Sequence, residues 1–314
     1  MKISVLLYLF VLAVSFCFMQ ASRLSSAPFV SCAGFRNVAT FLVDEEKKIY
    51  NPKMLPVRKT LFFNPKHVKT GDVIYVNLAY LKLFFTLYHP YIEHKYILIS
   101  SEHDLVAPGK FARYLIDDKI FAWFTQNCSE RNNLKVIPIP IGIFDRCYLG
   151  EAKFSVFCKL SQQSSQKKYL LYANFCEKTT ATRCGLLDFF RQKSFCKVAL
   201  NLSYEDYLSD LACSKFVVSP FGNGLDCYRT WEILAMGSFP IVLSSSMNRL
   251  FDELPVLIVD DWECLTQEFL EKKYDEMASK QYNMRKIYID YWVDLIRSYQ
   301  ARCREAEQKD DEIV

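Results

Sequence analysis

Residues 214–240 constrain the fold of this chain more than any other segment. The apolar run at 216–218 ends at a serine and a proline and predicts a buried strand. A glycine turn follows at residues 222–224, and then a helix that should end near Gly237. Asp226 stands where the N-cap of that helix is expected. Strand, glycine turn and helix start in this order predict a pocket for an anionic ligand, because backbone N–H groups and the helix dipole favour negative charge there.

The rest of the chain alternates predicted strands with predicted helices, which is typical of α/β proteins with a mostly parallel sheet. Strands are predicted at 72–76, 96–99, 169–173, 198–200, 241–243 and 256–259, and helices at 78–87, 182–191, 204–212 and about 266–304. Residues 136–143 contain two prolines and predict an edge strand or an extended approach to a cleft. The polar end of the chain, 305–314, is expected to be frayed.

The polar run at 161–166 is the most linker-like segment of the chain and divides the predicted elements into two halves. We therefore predict an α/β fold of two Rossmann-like domains facing a cleft, which is the natural place for an active site. The predicted segments are a leader (1–21), an N-terminal Rossmann-like domain (22–160), a second Rossmann-like domain (161–262) and a C-terminal helical segment with a tail (263–314).

The N-terminus predicts entry into the secretory pathway. Lys2 precedes an apolar stretch at 3–19, and small residues follow it, so a signal peptide cleaved near Ala21 is expected. The alternative is a signal anchor, which would make a single-pass membrane protein with its main part in the Golgi or ER lumen. Eleven cysteines follow the leader, and in an oxidising lumen some of them should pair. Asn127 and Asn201 begin glycosylation sequons.

The charge of the chain gives no sign of nucleic-acid binding. The formal net charge is only +4, and no basic run interleaved with aromatic residues occurs. Only four histidines are present, and no Cys-x-x-Cys spacing occurs, so we predict no zinc site.

The segment at 214–240 resembles a motif of exostosin-type glycosyltransferases. The residues that carry the resemblance are Ser214, Lys215, Phe216, Pro220, Gly222, Arg229, Glu232, Gly237 and Pro240. The similarity extends over about residues 165–262. It implies a GT-B enzyme of the GT47 type whose second domain holds a nucleotide sugar, either UDP- or GDP-linked, and whose C-terminal helices pack back on the first domain. It also implies a donor site without a metal ion, in agreement with the absence of an Asp-x-Asp motif.

The resemblance assigns donor-binding roles to several residues. Arg229 would contact the diphosphate, where a forked guanidinium suits paired oxygens, and Glu232 would accept hydrogen bonds from ribose hydroxyls. The alternative for this pair is a surface salt bridge at i,i+3 spacing. Around them, we expect phosphate or cleft contacts from Ser219, Gly222, Asn223, Gly224, Asn174 and Arg183. For each, the simpler alternative is a turn, a strand end or a solvated helix face.

The first domain should supply the general base of an inverting transfer. A retaining transfer needs no such base, and the sequence does not decide between the two. Glu102, His103 and Asp104 lie in one loop after a predicted strand, and Asp104 and His103 are the candidates. Solvated loop residues are the alternative. The leading interpretation is a glycosyltransferase that moves a sugar from a nucleotide-sugar donor to a hydroxyl of a glycan or glycoprotein. The other hypotheses are a non-catalytic binding or scaffold protein with the same fold and another GT-B chemistry, such as sugar-nucleotide epimerisation.

Overall fold

The computed structural model describes residues 25–46, 59–60 and 63–313. The predicted leader and its alternative, the signal anchor, fall outside these ranges. Within them, no helix has the length and apolar character needed to cross a membrane.

The strands of the described residues form two five-stranded parallel sheets and a short antiparallel ribbon, β2–β3. In chain order the strands are β1 (Phe41–Val43), β2 (Glu45–Glu46), β3 (Lys59–Thr60), β4 (Asp72–Asn77), β5 (Tyr96–Ser101), β6 (Ile120–Thr125), β7 (Val136–Pro138), β8 (Tyr169–Ala173), β9 (Cys196–Val198), β10 (Ser214–Val218), β11 (Phe239–Leu243) and β12 (Leu257–Val259). The first sheet has the order β1-β4-β5-β6-β7, and the second has the order β12-β11-β10-β8-β9.

Helices lie between the strands of both sheets and form the C-terminal part of the chain. The α-helices are α1 (Cys32–Val38), α2 (Leu81–Leu87), α3 (Arg146–Leu149), α4 (Glu151–Ser161), α5 (Leu186–Arg191), α6 (Tyr204–Ala212), α7 (Tyr228–Ala235), α8 (Gln267–Ala278) and α9 (Ile289–Ile313). Short 3-10 helices lie at Pro65–His67, Leu78–Tyr80, His89–Tyr91, Gly109–Ile116, Glu177–Thr179, Ala181–Arg183, Asn248–Phe251 and Met284–Ile287.

The predicted fold class is confirmed. Both halves are α/β units with parallel sheets, which is consistent with a GT-B-like fold, and the C-terminal helix α9 packs on the first sheet. Tyr299 of α9 meets Phe124 of β6 edge to face, with 5.1 Å between ring centroids. Trp292, near the start of α9, meets Phe35 of α1 in the same manner. The first half is therefore completed by the last helix of the chain.

The two faces of the second sheet contribute to different hydrophobic clusters. Leu171 and Phe216 pack with α5 and α8, whereas Tyr172 and Val217, the next residues along the same strands, belong to a cluster that also contains the core of the first sheet. Alternation along a strand produces this division, since successive side chains point to opposite faces. One continuous hydrophobic core therefore joins the two halves.

Most predicted elements are present within a few residues of their expected bounds. The proline-rich segment forms β7, an edge strand, as predicted. The predicted helix at 182–191 is interrupted, because Gly185 has a left-handed φ of 73° and separates a 3-10 turn from α5.

The prediction of a frayed tail was wrong for most of the segment 305–314, because α9 continues to Ile313. Within this segment Glu307 approaches His94 at 3.5 Å, and Cys303, just before it, is fully buried.

Helix α4, which precedes the predicted linker, was not predicted from the sequence. It packs against α6 of the second half through a buried face that includes Phe154 and Phe157.

Candidate functional site

A cleft of about 620 Å³ opens at the carboxyl ends of β8 and β10. The second sheet reverses its strand order between these two strands, and ligands of open parallel sheets bind at such a reversal. Eight of the ten predicted site residues line the cleft: Asp104, Asn174, Arg183, Gly222, Asn223, Gly224, Arg229 and Glu232. Asp104, with Ile141 and Lys153, comes from the first half of the chain. The cleft therefore lies between the two α/β units.

Arg229 stands in the first turn of α7 with its guanidinium in the cleft. Among the buried side-chain nitrogens and oxygens of the described residues, only its Nε and Nη1 lack a hydrogen-bond partner. Buried polar groups are nearly always paired, and an unpaired group is costly. The guanidinium carbon lies 5.9 Å from the centroid of the Phe175 ring. A half-buried guanidinium with two unpartnered donors beside the cleft suits the binding of an anion.

Glu232 lies one turn further along α7 and is 7% exposed. Its carboxylate accepts hydrogen bonds from the hydroxyls of Tyr204 (3.1 Å) and Tyr207 (2.8 Å), both on α6. These contacts, rather than the salt bridge to Arg229 considered from the sequence, hold the carboxylate in place. Burial raises its pKa, against the lowering effects of the Tyr207 hydrogen bond, the charge of Arg229 and the Tyr204 hydrogen bond. Each carboxylate oxygen keeps acceptor capacity toward the cleft.

Arg183 is 4% exposed and binds the protein's own backbone. Its Nε donates to the carbonyl of Phe221 (2.6 Å), and its Nη2 donates to the carbonyl of Pro220 (2.8 Å). Its Nη1 donates to the carbonyl of Cys176 at 3.2 Å. Burial lowers its pKa, and the nearby charge of Arg229 lowers it further. Arg183 therefore fixes the loop after β10 against the loop after β8, on which the shape of the cleft depends.

The two glycines of the loop have different surroundings. A Cβ on Gly224 would lie 2.7 Å from the side-chain Nδ2 and Oδ1 of Asn127, whereas a Cβ on Gly222 would lie 3.5 Å from the sulfur of Cys227. Neither glycine has a left-handed φ. Gly224 is thus required by a close approach to the first half of the chain, and Gly222 has room on the cleft side. Asn223 is exposed at the rim.

The sequence predicted Asp226 as the N-cap of α7, and this prediction was wrong. Cys227 is the N-cap. The buried Asp226 carboxylate instead accepts the N–H of Ile141 (2.8 Å), the indole N–H of Trp231 (2.8 Å) and the N–H of Cys227 (2.9 Å). Because Ile141 follows β7 in the first sheet, the carboxylate bridges the two halves. Burial raises the pKa of Asp226 to about 6.

Ser219 does not reach the cleft. It is 2% exposed, and its hydroxyl is hydrogen-bonded to that of Thr230 at 2.9 Å. Asn174 does line the cleft, and its amide donates to the hydroxyl of Tyr172 at 2.9 Å.

The loop after β5 places its three polar residues differently. Asp104 is exposed and lines the cleft. His103 is also exposed but is not part of the cleft wall, and its ring Nδ1 accepts the N–H of Leu105 at 3.3 Å. Glu102 is half-buried and accepts a hydrogen bond from Asn77 at 3.4 Å. Only Asp104 of this group therefore reaches the cleft.

Aromatic residues contribute to the cleft in ways that sequence reasoning missed. Phe175 lies near two guanidinium groups, with its ring centroid 5.7 Å from Arg183 and 5.9 Å from Arg229. Tyr204 and Tyr207 hold Glu232, as described, and Tyr228 lines the cleft beside the first half. The three-residue spacing of Tyr204 and Tyr207 on a predicted helix puts them on one face, but the sequence gives no sign that α6 faces α7.

Other sequence predictions concern cysteines, metals and glycosylation. No disulfide joins any two cysteines within the part of the chain that the structure describes, so the expected pairing is not seen. The same ranges contain no cluster of three or more His, Cys, Asp or Glu side chains that could hold a metal ion. The two sequons differ, since Asn127 is fully buried and Asn201 is exposed at the rim of the cleft.

Comparison with known families supports a glycosyltransferase. Residues 155–305 match the model of the RXYLT1 C-terminal domain, RXYLT1 being ribitol xylosyltransferase. None of the curated proteins matches the chain. The matched residues include Arg183, Arg229 and Glu232 together with the tyrosines that hold Glu232, whereas Asp104 lies outside them. The family that matches is not the exostosin family, and the exostosin resemblance stays a prediction. The second half of this chain is therefore similar to the RXYLT1 C-terminal domain, and that similarity indicates a glycosyltransferase.

Proposed function

We propose that the protein transfers a sugar, with xylose as the first candidate, from a nucleotide-sugar donor to a hydroxyl of a carbohydrate acceptor. The observation that carries the proposal is the buried, unpartnered Nε and Nη1 of Arg229 in a cleft at the strand-order reversal. The similarity to the RXYLT1 C-terminal domain supports the reaction class and the choice of xylose. UDP- and GDP-linked donors both fit the chemistry of the cleft.

In this proposal, Arg229 binds the diphosphate of the donor and stabilises the charge that develops on the leaving group. Glu232, held by Tyr204 and Tyr207, offers its remaining lone pairs to the ribose hydroxyls. Arg183 acts as a positioning residue, because its donors are bound to the carbonyls of Pro220 and Phe221. The arginines supply positive charge at the diphosphate, so the donor site is proposed to work without a metal ion.

Asp104 is the better candidate for the general base. Its carboxylate is exposed in the cleft wall contributed by the first half. His103 lies outside the cleft wall, and its Nδ1 already accepts the N–H of Leu105. In an inverting transfer, the acceptor oxygen bonds to the anomeric carbon as the bond from that carbon to the phosphate oxygen breaks. The acceptor proton passes to Asp104, and the nucleoside diphosphate leaves with the bonding electrons.

The setting we propose is the lumen of the Golgi or ER, on the basis of the N-terminal sequence. The apolar stretch at 3–19 would direct the chain there as a cleaved signal or as an anchor. The acceptor would then be a glycan or glycoprotein of the secretory pathway.

A thermal-shift titration with nucleotide sugars tests the donor site. The purified full-length protein is heated with UDP-xylose, other UDP-sugars and a GDP-sugar, each with and without EDTA. A ligand at one hundred times its Kd stabilises the native state by about 2.7 kcal/mol, which is a clear rise in Tm. We expect at least one donor to raise the Tm in the presence of EDTA. No rise with any donor, with or without Mg²⁺ or Mn²⁺, would contradict the proposal.

Transfer assays separate the enzyme from a non-catalytic protein of the same fold. The Asp104→Asn variant should keep the Tm shift with the donor and lose about 10²-fold or more of the transfer rate. Donor binding without sugar release or transfer by the wild-type protein would instead favour a binding or scaffold role.

A further inference from the structure

A row of three aromatic rings leads from the cleft to the surface of the first half. Tyr228 lines the cleft, and its ring centroid lies 4.8 Å from that of Phe144 in an edge-to-face contact. Phe144 in turn meets Tyr148 at 5.9 Å between centroids. Phe144 is 36% exposed and Tyr148 is 47% exposed. The row is thus continuous with the proposed donor site at one end and open to solvent at the other.

The segment that carries these rings is firmly anchored. The carbonyl of Phe144 accepts the hydroxyl of Ser26 at 2.8 Å, and the buried carboxylate of Asp145 accepts the N–H of Ala33 at 2.9 Å. Gly142 has a left-handed φ of 72°, and a Cβ there would lie 2.1 Å from the carbonyl oxygen of Val30. Backbone contacts this close leave the segment little freedom. The exposure of the rings is therefore a property of the fold, because the backbone that carries them is not a loose loop.

The row begins at the point where the two halves meet. Ile141, three residues before Phe144, lines the cleft and donates its N–H to the carboxylate of Asp226. Asp104, the proposed base, belongs to the same cleft wall. A molecule lying on the rings would enter the cleft from the first half.

We propose that Tyr228, Phe144 and Tyr148 form the acceptor subsite, on which a carbohydrate packs its C–H face with one hydroxyl directed into the cleft. The inference rests on the proposed function. Aromatic faces carry partial negative charge, and the C–H groups of a sugar or sugar alcohol are weakly positive, so the two surfaces attract each other. Exposed apolar patches on soluble proteins commonly mark binding sites. Three rings offer far less area than a stable protein partner needs, and a carbohydrate fits this size.

The test measures acceptor kinetics in variants of the outermost ring. Methyl pyranosides and ribitol serve as acceptor probes, so that cyclic and acyclic carbohydrates are compared. We expect Tyr148→Ala to raise the KM for the better probe about tenfold, from the loss of one ring contact. The donor-induced Tm shift, which involves no acceptor, should be unchanged. Tyr148→Trp, which keeps an aromatic face, should restore the wild-type KM.

The matched control is Tyr91→Ala, which removes a tyrosine that is 59% exposed and is not part of the cleft wall. It should leave acceptor KM unchanged, and Phe144→Ala should resemble Tyr148→Ala. Wild-type KM in both Tyr148→Ala and Phe144→Ala, in a protein that transfers sugar, would overturn the acceptor subsite and leave the proposed function intact. A wild-type protein that binds no donor would overturn the proposed function, and the acceptor subsite with it.

Discussion

At the scale of single residues, Arg229 and Arg183 show how two similar side chains take different roles. Both are partly or fully buried beside Phe175. Arg183 satisfies its donors with backbone carbonyls, whereas Nε and Nη1 of Arg229 have no partner. The sequence predicts a diphosphate contact for Arg229 and a second phosphate contact for Arg183. Only the positions of neighbouring carbonyls distinguish them, and these depend on how two loops meet.

The unpartnered donors of Arg229 predict opposite effects on binding and on stability. Replacement of Arg229 by Met keeps much of the side-chain volume and removes two buried N–H donors that lack hydrogen-bond partners, at the loss of the charge attraction to Glu232. We expect Arg229→Met to retain or raise the Tm of the ligand-free protein and to lose the donor-induced Tm shift. Both are read in one thermal-shift experiment. A ligand-free Tm lowered by several degrees, with the donor shift retained, would mean that Arg229 serves the fold instead.

At the scale of elements, the strand–turn–helix segment was predictable and its contacts were not. The periodicity of apolar residues located β10, α7 and the end of the helix, where Gly237 has a left-handed φ of 68°. The N–H of Ser238 then bonds back to the carbonyl of Ile233, a Schellman closure that the glycine position indicates. Local pattern cannot show that Asp226 reaches Ile141, 85 residues away. Site residues that act through such contacts are therefore the ones misassigned from sequence.

Helix α4 shows another limit of local pattern. Only Phe154 and Phe157 of its residues are buried, and the segment lies beside a polar run that looks like a linker. Its stability depends on packing against α6 more than on its own sequence, as is usual for short helices. Tertiary context of this kind is absent from a single-sequence argument.

Gly222 and Gly224, in the loop between β10 and α7, form a matched pair. Alanine at each position measures how closely this loop packs against the first half of the chain. Gly224→Ala places a methyl group against the side chain of Asn127 and should cost about 1–3 kcal/mol of unfolding free energy, as overpacking usually does. Gly222→Ala makes only an ordinary contact with Cys227 and should change the unfolding free energy by less than about 0.5 kcal/mol. Urea unfolding of both variants gives the comparison. Equal stabilities would mean that the loop does not need the close approach at Asn127.

At the scale of the whole molecule, the two halves are joined without a ligand. Besides the shared hydrophobic core, Asn127 after β6 accepts the N–H groups of Leu225 and Asp226, at 2.9 and 3.2 Å. The hydroxyl of Ser246 donates to the carbonyl of Cys128 at 2.6 Å. These contacts come from the carboxyl ends of strands in the first sheet and from loops of the second half. The cleft between the halves is thus a fixed feature of the described structure.

The junction residue Asp226 makes stability depend on pH. Its pKa is raised by burial to about 6, above the value of 3.8 that an unperturbed aspartate has. The folded state therefore binds more protons than the unfolded state between these values, and the contribution of Asp226 falls as pH rises from about 4 to about 6. Each unit of pKa shift corresponds to about 1.4 kcal/mol. Below pH 4 Asp226 makes its full contribution to the unfolding free energy, and above pH 7 it makes none.

The measurement is the unfolding free energy of the wild type minus that of Asp226→Asn across pH 4–7. Subtraction cancels the other titrating groups. We expect the difference to fall by roughly 1–3 kcal/mol between pH 4 and 6 and to stay constant above pH 7. A difference that rises with pH over this interval would show that the three N–H donors outweigh burial and lower the pKa of Asp226.

The buried position of Asn127 has a consequence for biosynthesis. In a compartment with N-glycosylation, a glycan added to Asn127 before folding would put a large polar group on a side chain that is fully buried in the native protein. Such a chain could not bring the loop at 225–226 onto the first sheet. Folding of β6 and modification of its sequon would then compete in time, and the yield of native protein would depend on which comes first. Asn201, exposed at the rim, carries no such conflict.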